Sequence, residues 1–260
     1  MADVQCDGAY PVFTDPEAYM RRRAKSTPMG LLKSWTEAHA LRRCLSGATN
    51  VRTVCDVPCG PGRLFPFWQR LGARVHGFDI SAPMVKAAEN ARRENHLSGS
   101  VRSGDAFDLG RGSCPTWDVV ASVRFLYYFE RERRIALLRS FAAASRRYVL
   151  VQYKTAETLK GRINQIRRER KNGADGGEGG KHFCSYDQIT EEVAESGLTL
   201  LKIAPIGELS DRVFVLAEKP GRRLHRDPGL HVWRDRRLIP RRMPFSSAVT
   251  AMVGAVLSMI

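Results

Sequence analysis

The sequence predicts an α/β fold with a doubly wound, mostly parallel sheet whose last strand is antiparallel. Two features lead to this prediction. Short apolar segments that suit buried strands alternate with segments whose apolar residues recur every three to four positions, which is the spacing of an amphipathic helix. Only residues 204–211 separate the last two strand segments. They are too few for a crossover helix, so the final strand should run antiparallel to its neighbour.

The first half of the chain supplies a leading helix and three strands. Residues 31–47 carry apolar side chains at helical spacing and end near a glycine. Strands are then predicted at Val51–Val57, Arg74–Asp79 and Val101–Ser103, and helices at Leu64–Leu71 and Pro83–Asn95. Ser81 is the expected N-cap of the second of these helices. Residues 1–30 should form a loosely structured lead-in or a short helix.

The second half continues the alternation and ends with two strands. Strands are predicted at Trp117–Val123, Tyr148–Tyr153, Leu198–Ile203 and Arg212–Glu218, and helices at Glu130–Ser145 and Tyr186–Ser196. The strand at Tyr148–Tyr153 is almost wholly apolar, as expected when both of its faces are covered. Residues 172–182 contain five glycines and several charges, which indicates a mobile surface loop.

Length, charge and cysteine spacing restrict the class of protein. A chain of 260 residues allows one large domain with appendages. The net charge of +15 favours an anionic partner, such as nucleic acid, an anionic bilayer or an acidic substrate, although an arginine-rich codon composition would give the same excess. The six cysteines lack zinc-site spacing and the N-terminus lacks an apolar signal segment. We therefore predict a cytoplasmic protein without a metal site.

The C-terminal segment differs in composition from the rest of the chain. Eight arginines lie between Pro220 and Pro244, and residues 245–260 carry no charge. Two alternatives stay open: a helix packed against protein, or a segment that attaches the chain to the inner face of a membrane. We therefore divide the chain into a lead-in (1–30), a main domain (31–219) and a basic linker with an apolar end (220–260).

The segment from Asp56 to Arg63 is the most informative part of the sequence. A buried strand runs into Pro58-Cys59-Gly60-Pro61-Gly62, and a helix follows. Glycines at such a turn let the backbone approach a ligand, and the amides of the following helix point into the same gap. Phe65 replaces the third glycine of a dinucleotide fingerprint and no lysine follows Gly62, which argues against pyrophosphate and triphosphate ligands.

An aspartate follows each of the next two strands. Asp79 ends the strand Arg74–Asp79, where a carboxylate can accept hydrogen bonds from both hydroxyls of a ribose. Asp105 follows the third strand and can accept from an exocyclic amine such as that of adenine, with Ala106 and Phe107 beside the ring. Each aspartate alone would equally suit a turn or a helix cap. Their order after the glycine turn favours a nucleoside site.

With these segments, the chain resembles the class I S-adenosylmethionine-dependent methyltransferases over residues 30–219. The matching segments are Asp56–Arg63, Gly77–Ser81, Gly104–Phe107, Trp117–Phe129 and Tyr186–Glu218. Pro58 stands where the family usually has its first glycine. The resemblance implies a seven-stranded, Rossmann-like sheet and S-adenosylmethionine as cofactor.

The resemblance also implies a role for individual residues. Those implied to contact the cofactor are Asp56, Pro58, Gly60, Gly62 and Arg63 at the turn, Asp79 at the ribose, Ile80, Met84, Asp105 and Ala106 around the adenine, and Ser122 facing the methyl donor. The candidate catalytic residues on the acceptor side are Arg124, Tyr127 and Tyr128, and Tyr153, His182 and Tyr186 are further candidates. Residues 1–30 and 155–185 would then cap the acceptor.

The acceptor itself is predicted only as a class. No Asn/Asp-Pro-Pro-Tyr/Phe motif follows the fourth strand, which argues against the amino-methylating subgroup that carries it. We expect methyl transfer to a small-molecule or lipid-like acceptor. The alternatives are an RNA or protein methyltransferase that uses the basic residues of segment 162–171, and a non-catalytic cofactor-binding subunit of a partner enzyme. Nucleic acid is the less favoured partner, and the oligomeric state is left open.

Overall fold

Residues 15–23, 28–111, 117–172 and 181–220 are described by the structure, a computed structural model. Residues 221–260 of the basic linker and apolar end predicted for 220–260 lie outside this range, as do most of the lead-in and the glycine-rich part of segment 172–182. Within the described part of the chain, no helix is both long enough and apolar enough to cross a bilayer.

The described chain forms one seven-stranded sheet with the order β3-β2-β1-β4-β5-β7-β6. The strands are β1 (Thr53–Asp56), β2 (Arg74–Asp79), β3 (Gly99–Ser103), β4 (Trp117–Ser122), β5 (Ser145–Lys154), β6 (Thr199–Pro205) and β7 (Arg212–Glu218). The first five strands pair in parallel, and β7 pairs antiparallel with both β5 and β6. The predicted fold class and the antiparallel last strand are therefore confirmed.

Helices cover both faces of this sheet. They are α1 (Pro16–Arg23), α2 (Pro28–Leu45), α3 (Phe65–Arg70), α4 (Ala82–Glu94), α5 (Arg131–Ala144), α6 (Leu159–Asn172) and α7 (Tyr186–Glu195). Side chains of α2 and α3 pack on one face of the central strands, where Trp68 and Leu41 are buried. Side chains of α5 and α7 pack on the other face around Phe141 and Ile189. Strands covered on both faces explain the nearly continuous apolar segments in the sequence.

Most predicted elements have the expected type, and the exceptions have physical reasons. The sequence prediction missed α6, because charged residues separate its few apolar positions. The strand predicted at Val51–Val57 is shorter, and β5 is longer than the predicted Tyr148–Tyr153. Ser81 occupies the N-cap position of α4, but its side chain makes no capping hydrogen bond. The predicted N-cap position is therefore confirmed.

The strand order identifies one edge of the sheet as the place for a ligand. The chain proceeds outward from β1 through β2 to β3 and then returns to place β4 on the other side of β1. The connections after β1 and β4 therefore diverge and leave a crevice at the carboxyl ends of these two strands. Asp56, Asp79 and Ser122 end β1, β2 and β4 at this carboxyl edge.

Gly99 at the start of β3 is a position where the backbone permits no side chain. Its φ is +133°, and a Cβ atom there would lie 1.6 Å from the carbonyl oxygen of Val75. We expect Gly99→Ala to lower the free energy of unfolding by about 3 kcal/mol, because β2 and β3 must separate to admit the methyl group. Urea unfolding followed by circular dichroism measures this loss.

Gly47→Ala is the matched control for this substitution, because its added Cβ would lie 3.8 Å from Leu216 in ordinary contact. It should change the free energy of unfolding by less than about 1 kcal/mol. Equal stability of the two variants would contradict the tight approach of β2 and β3.

Candidate active site

The glycine turn after β1 is held on both sides by neighbouring strands. The amide of Val57 donates to the carbonyl of Ala121 at 2.9 Å, and the amide of Cys59 donates to the carbonyl of Phe78 at 2.8 Å. The Val57–Pro58 peptide bond is cis. Gly60 and Gly62 have φ values of 54° and 77°, in the left-handed region that favours glycine.

The two glycines of the turn have different surroundings. A Cβ atom on Gly62 would lie 2.9 Å from the Phe65 ring, so this glycine lets the turn pack closely on the protein. A Cβ atom on Gly60 would meet nothing within 4 Å among the described residues. Gly60 therefore faces open space at the crevice, where a ligand could approach its backbone.

Asp79 connects the turn to the end of β2. Its Oδ2 accepts a hydrogen bond from the Gly60 amide at 2.8 Å, and its Oδ1 accepts one from the Ser81 amide at 2.9 Å. Each carboxylate oxygen can accept a second hydrogen bond, so two ligand hydroxyls could be added to this arrangement. Burial raises the pKa of Asp79, although the Ser81 and Gly60 amides act in the opposite direction. The residue predicted at the ribose therefore faces the glycine turn.

Asp56 is a buried carboxyl group whose pKa is raised in the folded protein. It is 2% exposed at the end of β1. Burial raises its pKa to about 7; the guanidinium of Arg63 opposes this shift and the carboxylate of Asp79 adds to it. A cation brought into the crevice would stabilise the charged form of Asp56 and lower this pKa.

A polar network centred on Glu37 borders the crevice on the α2 side. Glu37 is 3% exposed. Its carboxylate accepts hydrogen bonds from Arg63 at 3.2 Å, from Arg124 at 2.7–3.0 Å, from Arg212 at 3.2 Å and from Gln152 at 3.4 Å. Three guanidinium groups thus share one carboxylate. The network joins α2 to the glycine turn, to the segment after β4, to β5 and to the start of β7.

Two buried hydroxyls at the crevice lack a protein partner within the described part of the chain. They are the Oγ atoms of Ser81 and Ser122, which follow β2 and end β4. Ser122 is fully buried, so an unpaired hydroxyl there carries a cost of about 1–3 kcal/mol that a polar ligand would remove. These two groups, together with the open space at Gly60, fit a polar ligand.

The predicted adenine-side residues differ in exposure. Met84 is 2% exposed and Ala106 is 5% exposed, whereas Ile80 is 59% exposed. Asp105 is half-buried, and its Oδ1 accepts a hydrogen bond from the Phe107 amide at 2.9 Å. The Gly104 amide donates to the Asp79 carbonyl at 3.1 Å, which brings this loop beside the end of β2. An exposed Ile80 next to a buried Met84 leaves an apolar surface for a ring.

The three candidate catalytic residues lie in the segment after β4. Arg124 has a φ of 67°, and its guanidinium points to Glu37. Tyr127 is buried and Tyr128 half-buried, with ring centroids 4.8 Å apart. The His182 amide donates to the Tyr127 carbonyl at 2.7 Å, so the segment before α7 adjoins this pair. Their catalytic role stays a prediction.

Tyr153 lies elsewhere in the fold. Its hydroxyl donates to Oε2 of Glu192 at 2.9 Å within the core between β5 and α7. Lys154, the next residue, pairs with Asp211 and lies 4.7 Å from the centroid of the Phe183 ring. Tyr153 therefore points into the core, and Lys154 is the residue at the end of β5 that contacts Asp211 and Phe183.

Sequence reasoning missed Glu37, although one signal was available. Glu37 precedes Ala40, Leu41 and Cys44 by three, four and seven positions, so it lies on the apolar stripe of α2. A charged residue on such a stripe indicates a buried ion pair. Its partners Arg212 and Gln152 were not predictable, because they lie more than 100 residues away in the chain.

The raised pKa of Asp56 makes stability depend on pH. The carboxyl ionises near 3.8 when unperturbed and near 7 in the fold, so the folded protein keeps a proton that the unfolded chain loses between these values. The contribution of Asp56 to stability therefore falls as pH rises from about 4 to about 7. Over this interval the free energy of unfolding of Asp56→Asn should rise by about 3 kcal/mol relative to that of the wild type. Urea unfolding without added ligand measures this change.

Asp108→Asn provides the control, because Asp108 is exposed. The difference in free energy of unfolding between Asp108→Asn and the wild type should stay nearly constant over the same pH range. A constant difference for Asp56→Asn as well would show that Asp56 is ionised in the fold.

Comparison with known proteins identifies the domain. A family model described as "Methyltransferase domain" matches residues 54–147. The cypemycin N-terminal methyltransferase of a Streptomyces species is 34% identical over 128 residues, 48% of each chain. The malonyl-[acyl-carrier protein] O-methyltransferase of Salmonella typhimurium is 36% identical over 77 residues, which cover 28% of this chain and 30% of the relative. The chain thus spans half or less of the length of these relatives.

Solved structures share the fold across most of the described chain. The magnesium protoporphyrin IX methyltransferase from Synechocystis PCC 6803 with bound SAH has a TM-score of 0.61 at 17% identity, covering 80% of this chain and 97% of that one. The mitomycin 7-O-methyltransferase has a TM-score of 0.59 at 18% identity, covering 79% and 58%. Residues 54–147 thus match a methyltransferase domain, and the chain shares its fold with these solved methyltransferases.

Proposed function

We propose that this protein binds S-adenosylmethionine and transfers its methyl group to a small-molecule or lipid-like acceptor. The observation that carries the proposal is the hydrogen bond from the Gly60 amide to Asp79 beside open space, with unpaired buried hydroxyls at Ser81 and Ser122 where β2 and β4 end. The position of this crevice at the switch between β1 and β4 is the expected ligand position in a doubly wound fold.

The residues around the crevice fit each part of the cofactor. Asp79 would accept the ribose hydroxyls, since each of its oxygens already accepts one backbone amide and can accept another. Asp105 would accept from the adenine amine, and Ile80 and Met84 would contact the ring. Asp56 would lie near the positively charged methionine part, where a cation would favour the ionised carboxylate.

The chain's own contribution to the reaction is alignment and exclusion of water. When bound, S-adenosylmethionine supplies a methyl group already activated by its sulfonium. The glycine turn, tied to β2 and β4, would fix the donor end, and Ser122 would face it from the end of β4. Holding donor and acceptor in line supplies most of the rate in such a transfer. A general base is required only for an acceptor whose proton must leave early.

The acceptor side supports an apolar or amphiphilic molecule. Aromatic rings of Tyr127, Tyr128 and Phe183 lie near Lys154 and Lys181 in this region. The relatives are named for methyl transfer to the N-terminus of cypemycin and to malonyl-[acyl-carrier protein]. Aromatic walls beside cations suit an acceptor with an apolar body and a polar or anionic group.

Asp79 provides the direct test of cofactor binding. Asp79→Ala removes the carboxylate that would hold the ribose and also releases the Gly60 amide, so affinity for S-adenosylhomocysteine should fall at least roughly ten-fold. Isothermal titration calorimetry measures the loss. Asp108 is exposed in the loop that follows β3, three residues after Asp105. The control variant Asp108→Ala should bind S-adenosylhomocysteine like the wild type. Unchanged binding by Asp79→Ala would contradict the proposed site.

The acceptor class is tested by methyl-label transfer to a whole-cell extract. Purified protein with labelled S-adenosylmethionine should label the lipid or small-molecule fraction, while a Gly60→Val variant should label none, because its side chain fills the crevice and strains the turn. Label confined to the RNA or protein fraction would favour the macromolecular alternative. Activity that appears only with a copurified partner would favour the non-catalytic role.

A further inference from the structure

Helix α6 presents an apolar stripe to solvent. Leu159, Ile163 and Ile166 are 57%, 41% and 47% exposed, and their spacing of four and three residues places them on one side of the helix. Leu209, in the loop that joins β6 to β7, is 74% exposed and lies beside the start of α6. This loop contacts α6 directly, because the Lys160 amide donates to the Glu208 carbonyl at 3.1 Å.

The opposite side of α6 holds the helix on the domain. Gly161 is buried, and a Cβ atom there would lie 2.0 Å from the Thr155 carbonyl oxygen. Asn164 donates to Oδ2 of Asp211 at 3.1 Å. The exposed stripe is therefore fixed in direction rather than free to turn inward.

Cations lie on both flanks of the stripe. Lys160 and Arg167 follow Leu159 and Ile166 by one position, which places them on one flank, and Arg162 lies on the other; all three are exposed. No acidic residue stands between Leu159 and Arg167. An apolar stripe with cations on both flanks is the arrangement of a helix that lies in the surface of an anionic bilayer.

We propose that α6 docks this protein on anionic phospholipid, with Leu159, Ile163, Ile166 and Leu209 in the acyl boundary and the flanking cations at the headgroups. The helix has 14 residues, fewer than the ~20 needed to span a bilayer, so it lies on the membrane rather than across it. Nucleic acid fits the surface less well, because aliphatic side chains provide no stacking platform for bases.

The docking surface adjoins the acceptor side of the crevice. Helix α6 follows β5 at the carboxyl edge of the sheet, and Asn164 shares Asp211 with Lys154. Trp35 on α2, the helix that also carries Glu37, is 61% exposed. The surface goes beyond the proposed methyl transfer and does not depend on it.

Vesicle binding by the full-length chain tests this surface. The probes are phosphatidylcholine vesicles with and without phosphatidylglycerol, and the readout is co-sedimentation. We expect wild-type protein to bind the anionic vesicles and Ile163→Asp to bind them at least roughly ten-fold more weakly. The affinity of Arg167→Gln for anionic vesicles should be roughly five-fold lower than that of the wild type, and its affinity for neutral vesicles should be almost unchanged.

Leu201→Asp is the matched control, because Leu201 on β6 is 41% exposed, like Ile163, but lies away from α6. It should bind vesicles like the wild type. Calorimetry with S-adenosylhomocysteine should give the same affinity for Ile163→Asp and wild type, which separates a failed docking surface from a failed cofactor site.

Three results would overturn the proposal. Wild-type protein could fail to bind anionic vesicles. Ile163→Asp could bind them as well as the wild type does, which would assign membrane contact to another segment such as residues 221–260. Single-stranded RNA could displace the protein from vesicles while Ile163→Asp keeps full RNA affinity, which would assign the cations to nucleic acid.

Discussion

The hydrogen bond from the Gly60 amide to Asp79 is the interaction on which the candidate site depends. It joins the turn after β1 to the end of β2, and the same carboxylate also fixes the first turn of α4 through Ser81. Because the adjoining loop at Gly104 bonds to the Asp79 carbonyl, three consecutive connections take their positions from one residue. A ligand that bound Asp79 would therefore find these three connections already in position, and little of the site would have to reorganise on binding.

Charge at the carboxyl edge is distributed unevenly around the crevice. Asp56 and Asp79 are buried carboxyl groups whose pKa values burial raises. On the α2 side, Glu37 gathers three arginines. The ends of β1 and β2 thus contribute buried carboxyl groups that a cation would stabilise, whereas the α2 side carries an excess of positive charge. This asymmetry agrees with the proposed cationic donor beside Asp56 and Asp79.

The features that could be predicted from the sequence are those determined by patterns within short segments. Strand and helix periodicities, the glycine turn and the aspartates after β2 and β3 lie within short segments, and the antiparallel last strand follows from the length of one link. The remainder depends on contacts between distant segments. Helix α6 is fixed by Asp211, 47 residues beyond Asn164, and its own composition resembles a solvated segment. Glu37 has partners 26 to 175 positions away, so its role became visible only in the assembled fold.

The insertion of β7 between β5 and β6 has a consequence for biosynthesis. Both neighbours precede β7 in the chain, so a ribosome releases β6 before any strand exists that can join it to the rest of the sheet. Until residues 212–218 emerge, β5 presents an open edge. The same final strand brings Arg212 to Glu37. Translation must therefore run almost to the end of the folded domain before the polar cluster beside the crevice is complete, and nascent chains halted earlier would offer chaperones an unfinished sheet.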